Sequence, residues 1–157
     1  MSSAATWLPE GFIAPPRLDL PTGHHLRQIR ASDIDIDYPA VMGSRHRLWE
    51  MFGEKWGWPP ATMTKEEDLV DLRRHEDEMR INASFNYAIL DAAETALLGC
   101  VYIDPPQDAG VDAEVAWWVV DEMVGSPLER ALEDAMPRWI GEEWSLARPR
   151  FRGGTCS

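Results

Sequence analysis

Positive charge is scarce in this sequence: 15 Lys and Arg stand against 27 Asp and Glu, a net charge of −12 over 157 residues. That shortage excludes the basic surface that nucleic-acid binding needs, and an anionic membrane would repel the chain. Cysteine is nearly missing too. Cys100 sits in an apolar run and Cys156 in the tail, without metal spacing or a disulfide framework. His24, His25, His46 and His75 are scattered, so no metal is assigned. No apolar stretch is long enough to span a bilayer. The first residues lack a basic start followed by an apolar run, so no signal peptide is read there and the expected location is cytoplasmic. What is present is 45% hydrophobic residues, enough for the core of a single domain. The acidity either serves solubility alone or suits a cationic partner such as an amine.

Residues 1–23 are rich in Pro, Gly and small side chains and read as an irregular arm, with the domain proper at 24–157. His24–Arg30 reads as a first strand. Ser32 with Asp35 looks like a helix start, and the helix carries Val41, Leu48, Trp49 and Phe52, with Pro39 tolerated only in its first turn. Residues 53–62 read as a loop. Thr64 and Glu67 form a capping box before an amphipathic helix with Leu69, Leu72 and Met79, ending near Ile81. The period then becomes two. Phe85, Tyr87 and Ile89 mark one strand, Ala96–Ile103 a second that pairs with it as a hairpin, and Ala113–Val120 a third. Ser126, Pro127 and Glu129 start a last helix with an apolar stripe through Leu128, Leu132, Ala135, Trp139 and Ile140, kinked at Pro137. One short strand is expected before the Gly153-Gly154 end. The order implies an α+β fold with helices packed on a sheet.

The runs ALLGCVYIDPP, AEVAWWVVDEMVG and SPLERALEDAMPRWI, in that order, resemble the GNAT acetyltransferases. The resemblance implies a mixed, mainly antiparallel sheet flanked by helices and shortened at its C-terminal end, with acetyl-CoA as cosubstrate and a small amine as acceptor. In that family the strand matching Ala113–Val120 splays from its neighbour to admit the pantetheine arm. By the resemblance, the backbone of Trp118, Val119 and Val120 meets pantetheine, while Gly125, Ser126 and Arg130 lie at the pyrophosphate. A sheet edge left bare by a short C-terminus would be covered by the N-terminal arm or by a second subunit, giving a homodimer.

The family's loop pattern, Q/R-x-x-G-x-G/A, falls here on residues 124–129. Val124 replaces the basic or amide residue, and Pro127 and Glu129 replace the two glycines. A helix N-terminus holds phosphate through free N–H groups and its dipole. Pro127 removes one N–H, and Glu129 brings negative charge to the place of the phosphate and can fold back onto the Ser126 N–H. The segment reads equally as an ordinary capped helix, so the alternative to an acetyltransferase is a catalytically silent binding or structural protein of the same fold.

Acetyl transfer needs a deprotonated amine, a polarised thioester carbonyl and a proton for the departing thiolate. Some relatives use a carboxylate on the matching strand, which makes Glu114 the candidate base, with Asp112 on the same strand face. Tyr102 and Tyr87 are candidates for reprotonating the thiolate. For each the plainer role stays open: a solvated strand-edge carboxylate, a packed aromatic. Trp49, Phe52, Trp56 and Trp58 gather at the connection that borders the acceptor site in the family, and make either an acceptor pocket or a hydrophobic cluster under a Pro-rich loop.

Overall fold

The alternation from Phe85 to Leu90 becomes a strand with both faces buried in the computed structural model, which describes residues 7–152. Six strands form one sheet in the order β1 (Arg17–Asp19), β2 (His25–Gln28), β3 (Phe85–Leu90), β4 (Leu97–Asp104), β5 (Ala113–Val119) and β6 (Pro149–Arg152). Every pairing is antiparallel except that of β5 with β6. The helices are α1 (Ile34–Gly43), α2 (Arg45–Trp56), α3 (Lys65–Arg80) and α4 (Pro127–Glu143). The fold is therefore α+β, a mixed and mainly antiparallel sheet flanked by helices.

Strand alternation assigns the layers. Phe85 and Tyr87 face α4, where Tyr87 meets Trp139 at 5.1 Å and Trp144 at 5.9 Å. Asn86, Cys100, Tyr102, Asp104 and Trp118 face the opposite way, toward α1, α2 and α3, and Phe52 of α2 packs edge-on against Tyr102 at 6.0 Å. At Gly99, paired with Val119, the backbone leaves no room for a side chain. A Cβ on Gly99 would sit 2.0 Å from the Trp118 carbonyl oxygen, so no larger residue fits.

The two helix starts at Thr64 and Ser126 and the β3–β4 hairpin lie where the sequence places them. Four local readings change. β1 and the buried Leu8 and Leu20 lie in the segment expected to be irregular, because β1 pairs in register with β2. The first helix starts not with a Ser32 cap but with a 3-10 turn, Ala31–Asp33, in which the Asp33 carboxylate accepts from the Arg30 N–H at 2.9 Å. The single helix expected over Val41–Phe52 is two, broken at Ser44, so Pro39 sits inside α1. Gly53–Trp56 continues α2 until Gly57 closes it in the left-handed conformation, φ 63°. The expected last strand is β6; Cys156 and Gly153-Gly154 lie outside the described residues.

Candidate functional site

The inner stripe of α3 holds polar groups where a purely structural helix would carry only apolar ones. Asp68, Leu72, His75 and Met79 recur at helical spacing, and Asp68 is 2% exposed. Together with the open face of β3 and β4, Asp68, Leu72 and His75 wall a cavity of about 520 Å³. Six carboxyl groups line it, from Asp37, Glu67, Asp68, Asp71, Glu78 and Asp104, against Arg74 and His75. Trp56, Trp58 and Tyr102 supply aromatic walls. Phe52 stacks on Trp56 at 4.7 Å, and Trp56 stands edge-on to Tyr102 at 5.3 Å. Trp49 remains about half exposed over Gly53, outside the cavity.

The carboxyl groups fall into two clusters. At one end lie Asp37 and Asp68. Burial first, and Asp68 second, push the Asp37 carboxyl well above the ordinary range, so it keeps a proton and donates it to Asp68. Burial raises Asp68 as well, while the Asp37 hydrogen bond pulls it back down. The Oδ2 of Asp68 is buried without a hydrogen-bond partner. At the other end the Ser84 hydroxyl donates to Asp104, whose carboxyl is raised by burial. Glu78 is held low there, chiefly by His75, 3.8 Å away, with Arg74 at 3.4 Å. Between the two, opposite Tyr102 in the β3–β4 register, Asn86 is 3% exposed and its Oδ1 also lacks a partner. A buried polar atom left unpaired costs about 1–3 kcal/mol, so these two acceptors mark a place for a donor.

Of the candidates read from the sequence, Tyr102 lines this cavity. Its hydroxyl accepts from Trp118 Nε1 at 2.9 Å, and burial holds its proton firmly. Tyr87 lies on the other face and donates to the Pro15 carbonyl at 2.6 Å. Glu114 is not among the cavity residues. It forms a two-pronged ion pair with Arg150 at 2.9 and 2.7 Å, which lowers its pKa and makes it a weak proton acceptor. Asp112 accepts from the Ala147 and Arg148 N–H groups. Trp117 turns to the α4 side beside Phe151.

The residues expected at the cofactor are brought together, but their polar groups are already occupied. The Val120 N–H donates to the Leu98 carbonyl at 2.9 Å, so the backbone of Val119 points away from β4. There the Val119 carbonyl accepts from Arg47, which is paired with Asp121 at 2.9 Å. At the start of α4 the Gly125 N–H donates to Glu129 Oε1 at 2.8 Å, the Ser126 N–H to the Met123 carbonyl at 3.0 Å, and the Glu129 N–H to Ser126 Oγ at 3.4 Å. Pro127 has no N–H, and Arg130 turns back to the Gly125 carbonyl at 2.9 Å. Glu129 thus folds onto Gly125 rather than onto Ser126, whose N–H the preceding turn already uses. Glu129, 3% exposed, keeps a carboxylate where the resemblance puts the pyrophosphate. As arranged, these residues do not fit the cofactor.

The cavity positions of Asp37, Asp68, His75, Asn86 and Asp104, and the placing of Arg47 at Val119, are what the sequence reading missed. The signal for Asp68 and His75 was available, since both share the spacing of Leu72 and Met79. Among the described residues no cluster of His, Cys, Asp and Glu is arranged to hold a metal, and no helix is long and apolar enough to cross a membrane.

No family model matches the chain, and no curated protein matches it by sequence. Solved structures do. A ribosomal-protein-S5-alanine acetyltransferase from Vibrio fischeri aligns with TM-score 0.59 and 19% identity over 76% of this chain and 64% of its own. A ribosomal L7/L12 α-N-protein acetyltransferase, in complex with coenzyme A, aligns with TM-score 0.63 and 14% identity over 78% and 67%. A spermidine N-acetyltransferase from Vibrio cholerae, with CoA and spermine, aligns with TM-score 0.52 and 14% identity over 75% and 63%. The chain thus spans just under two thirds of the length of the first and third of these. With its sheet order and the parallel β6 reached through α4, the chain has the fold of the GNAT acetyltransferases.

Proposed function

We propose that this protein binds a small organic amine in the cavity between α3 and the sheet, on a scaffold shared with N-acetyltransferases. The observation that carries the reading is the cavity wall: six carboxyl groups and three aromatic rings around about 520 Å³. An ammonium group gains from carboxylates in a desolvated site and from aromatic faces, the latter by roughly 0.5–2 kcal/mol. The acetyltransferases of like fold include one for spermidine, itself an amine. Titration calorimetry with octylamine and with octanol tests the reading. Binding of the amine alone, weakened about tenfold by Asp68→Asn, is expected. Equal heats for amine and alcohol would mean a merely apolar pocket and refute it.

The second reading is acetyl transfer to that amine, and Tyr102 favours it. Its protonated hydroxyl stands between the cavity and β5, where a proton donor for a thiolate belongs. In this reading the backbone of Trp118, Val119 and Val120 with Gly125, Ser126 and Arg130 receives acetyl-CoA once Arg47 and Glu129 withdraw. Glu114 serves as base only if released from Arg150. Calorimetry with acetyl-CoA decides: no binding at millimolar ligand leaves a silent amine-binding protein. Cytoplasmic residence and a homodimer paired along β6 complete the proposal, and sedimentation as a monomer alone would remove the dimer.

A further inference from the structure

The cavity is a trench rather than a bowl. Across it, Asp68 of α3 lies near the Cys100 end of β4, His75 6.5 Å from Tyr102, and Glu78 near the Asp104 end. Ten helical residues separate Asp68 from Glu78, about 15 Å at 1.5 Å per residue. Four strand residues separate Cys100 from Asp104, about 13 Å at 3.3 Å per residue. Each end therefore presents its own carboxylate, and a single ammonium group cannot reach both.

Two unpaired acceptors point to what does. Asp68 Oδ2 and Asn86 Oδ1 are buried, line the trench and lack partners. The first is at the inner end. The second lies midway, since Asn86 stands opposite Tyr102 in the register. Asn86 is uncharged, so it asks for an N–H rather than for a second full charge.

We propose that the trench binds a linear polyamine in extended form, one terminal ammonium on Asp68, the other between Glu78 and Asp104, and a mid-chain N–H on Asn86. The inference rests on the amine reading and narrows it to a substrate class with three nitrogens in line. Trp56 and Tyr102 flank the methylene segments.

Three probes of about nine or ten chain atoms separate the contributions: octylamine, octamethylenediamine and spermidine, which carry one, two and three nitrogens. Titrated into the full chain at neutral pH, the diamine should bind about tenfold tighter than octylamine, and spermidine about tenfold tighter than the diamine. Asn86→Leu should erase the second step and keep the first. Glu78→Gln, at a half-buried surface position, should weaken diamine and triamine about tenfold with little change for octylamine, and it keeps the test alive if Asn86→Leu does not fold. Equal affinity for all three probes overturns this inference and leaves the amine reading standing. Binding by none of them overturns the amine reading itself.

Discussion

Replacing Glu129 by Ala tests whether the chain's own carboxylate is what keeps an anion from the start of α4. In the protein its Oε1 accepts from the Gly125 N–H at 2.8 Å beside the positive end of the helix dipole, while Oε2 is buried without a partner. A hydrogen bond to a charged group contributes about 1.5–3 kcal/mol, and an unpaired buried oxygen takes back about 1–3 kcal/mol. The helix dipole adds roughly 0.3–1 kcal/mol in favour of the carboxylate. The balance is a loss of about 1 kcal/mol, or about 2–4 °C in Tm for a chain of this size. The variant frees the Gly125 N–H, and Arg47→Ala in the same chain frees the Val119 carbonyl. If the double variant then holds coenzyme A with a Kd of about 100 µM, about 1 mM ligand adds roughly 1.4 kcal/mol, a rise of about 3–6 °C. The assay is thermal denaturation of wild type and variants with and without coenzyme A. Wild-type protein that gains as much from coenzyme A as the double variant refutes the argument, because Glu129 and Arg47 would then block nothing.

Gly99→Ala should be among the most damaging single substitutions in the sheet: its Cβ would meet the Trp118 carbonyl at 2.0 Å, and a loss of about 3 kcal/mol, read as about 6–12 °C in Tm, is expected. A loss below about 2 °C would show that β4 and β5 part easily. Glu94 is held down to about 2 by Arg27 and then His25. Its folded pKa lies below its ordinary 4.5, so its stabilisation is complete above that value and is lost as pH falls toward about 2. Glu94→Gln should remove that part of the acid transition in a denaturation series, and an unchanged acid limb would contradict it. Asp37 behaves oppositely. Its raised pKa makes the fold hold a proton that the unfolded chain releases above about 3.8, so stability falls as pH rises from there through the folded value. Asp37→Asn keeps a donor for Asp68 and should flatten Tm against pH, whereas a slope as steep as wild type would place the proton elsewhere.

What the sequence disclosed were features settled within a few residues. The Thr64–Glu67 capping box, the Ser126 cap and the period-two runs of β3, β4 and β5 need only their own neighbours, and all stand where the pattern puts them. The fold-back of Glu129 onto the turn before α4 was legible for the same reason, though its partner shifted by one residue because the Asp121–Met123 turn claims the Ser126 N–H. The break at Ser44 was not legible, since its cause is remote: Ser44 Oγ accepts from the Asp121 N–H at 2.9 Å, across 77 positions. The cavity escaped for a similar reason. Asp37, Asp68, Asn86 and Asp104 come from four elements, and no local spacing announces that they face one space.

The Arg150–Glu114 pair also bears on how the chain closes its sheet. The two residues are direct partners across β5 and β6, and Asp108 grips the same guanidinium at 2.5 Å. A slip of β6 by one residue would turn Arg150 to the α4 side and leave Glu114 buried and unpaired. The pair is thus a register key for the one parallel strand, the one that cannot dock until α4 has crossed the sheet. Glu114 therefore gains its partner only through the crossover that returns β6 to β5, and a contact made 36 positions away fixes the first residues of β5.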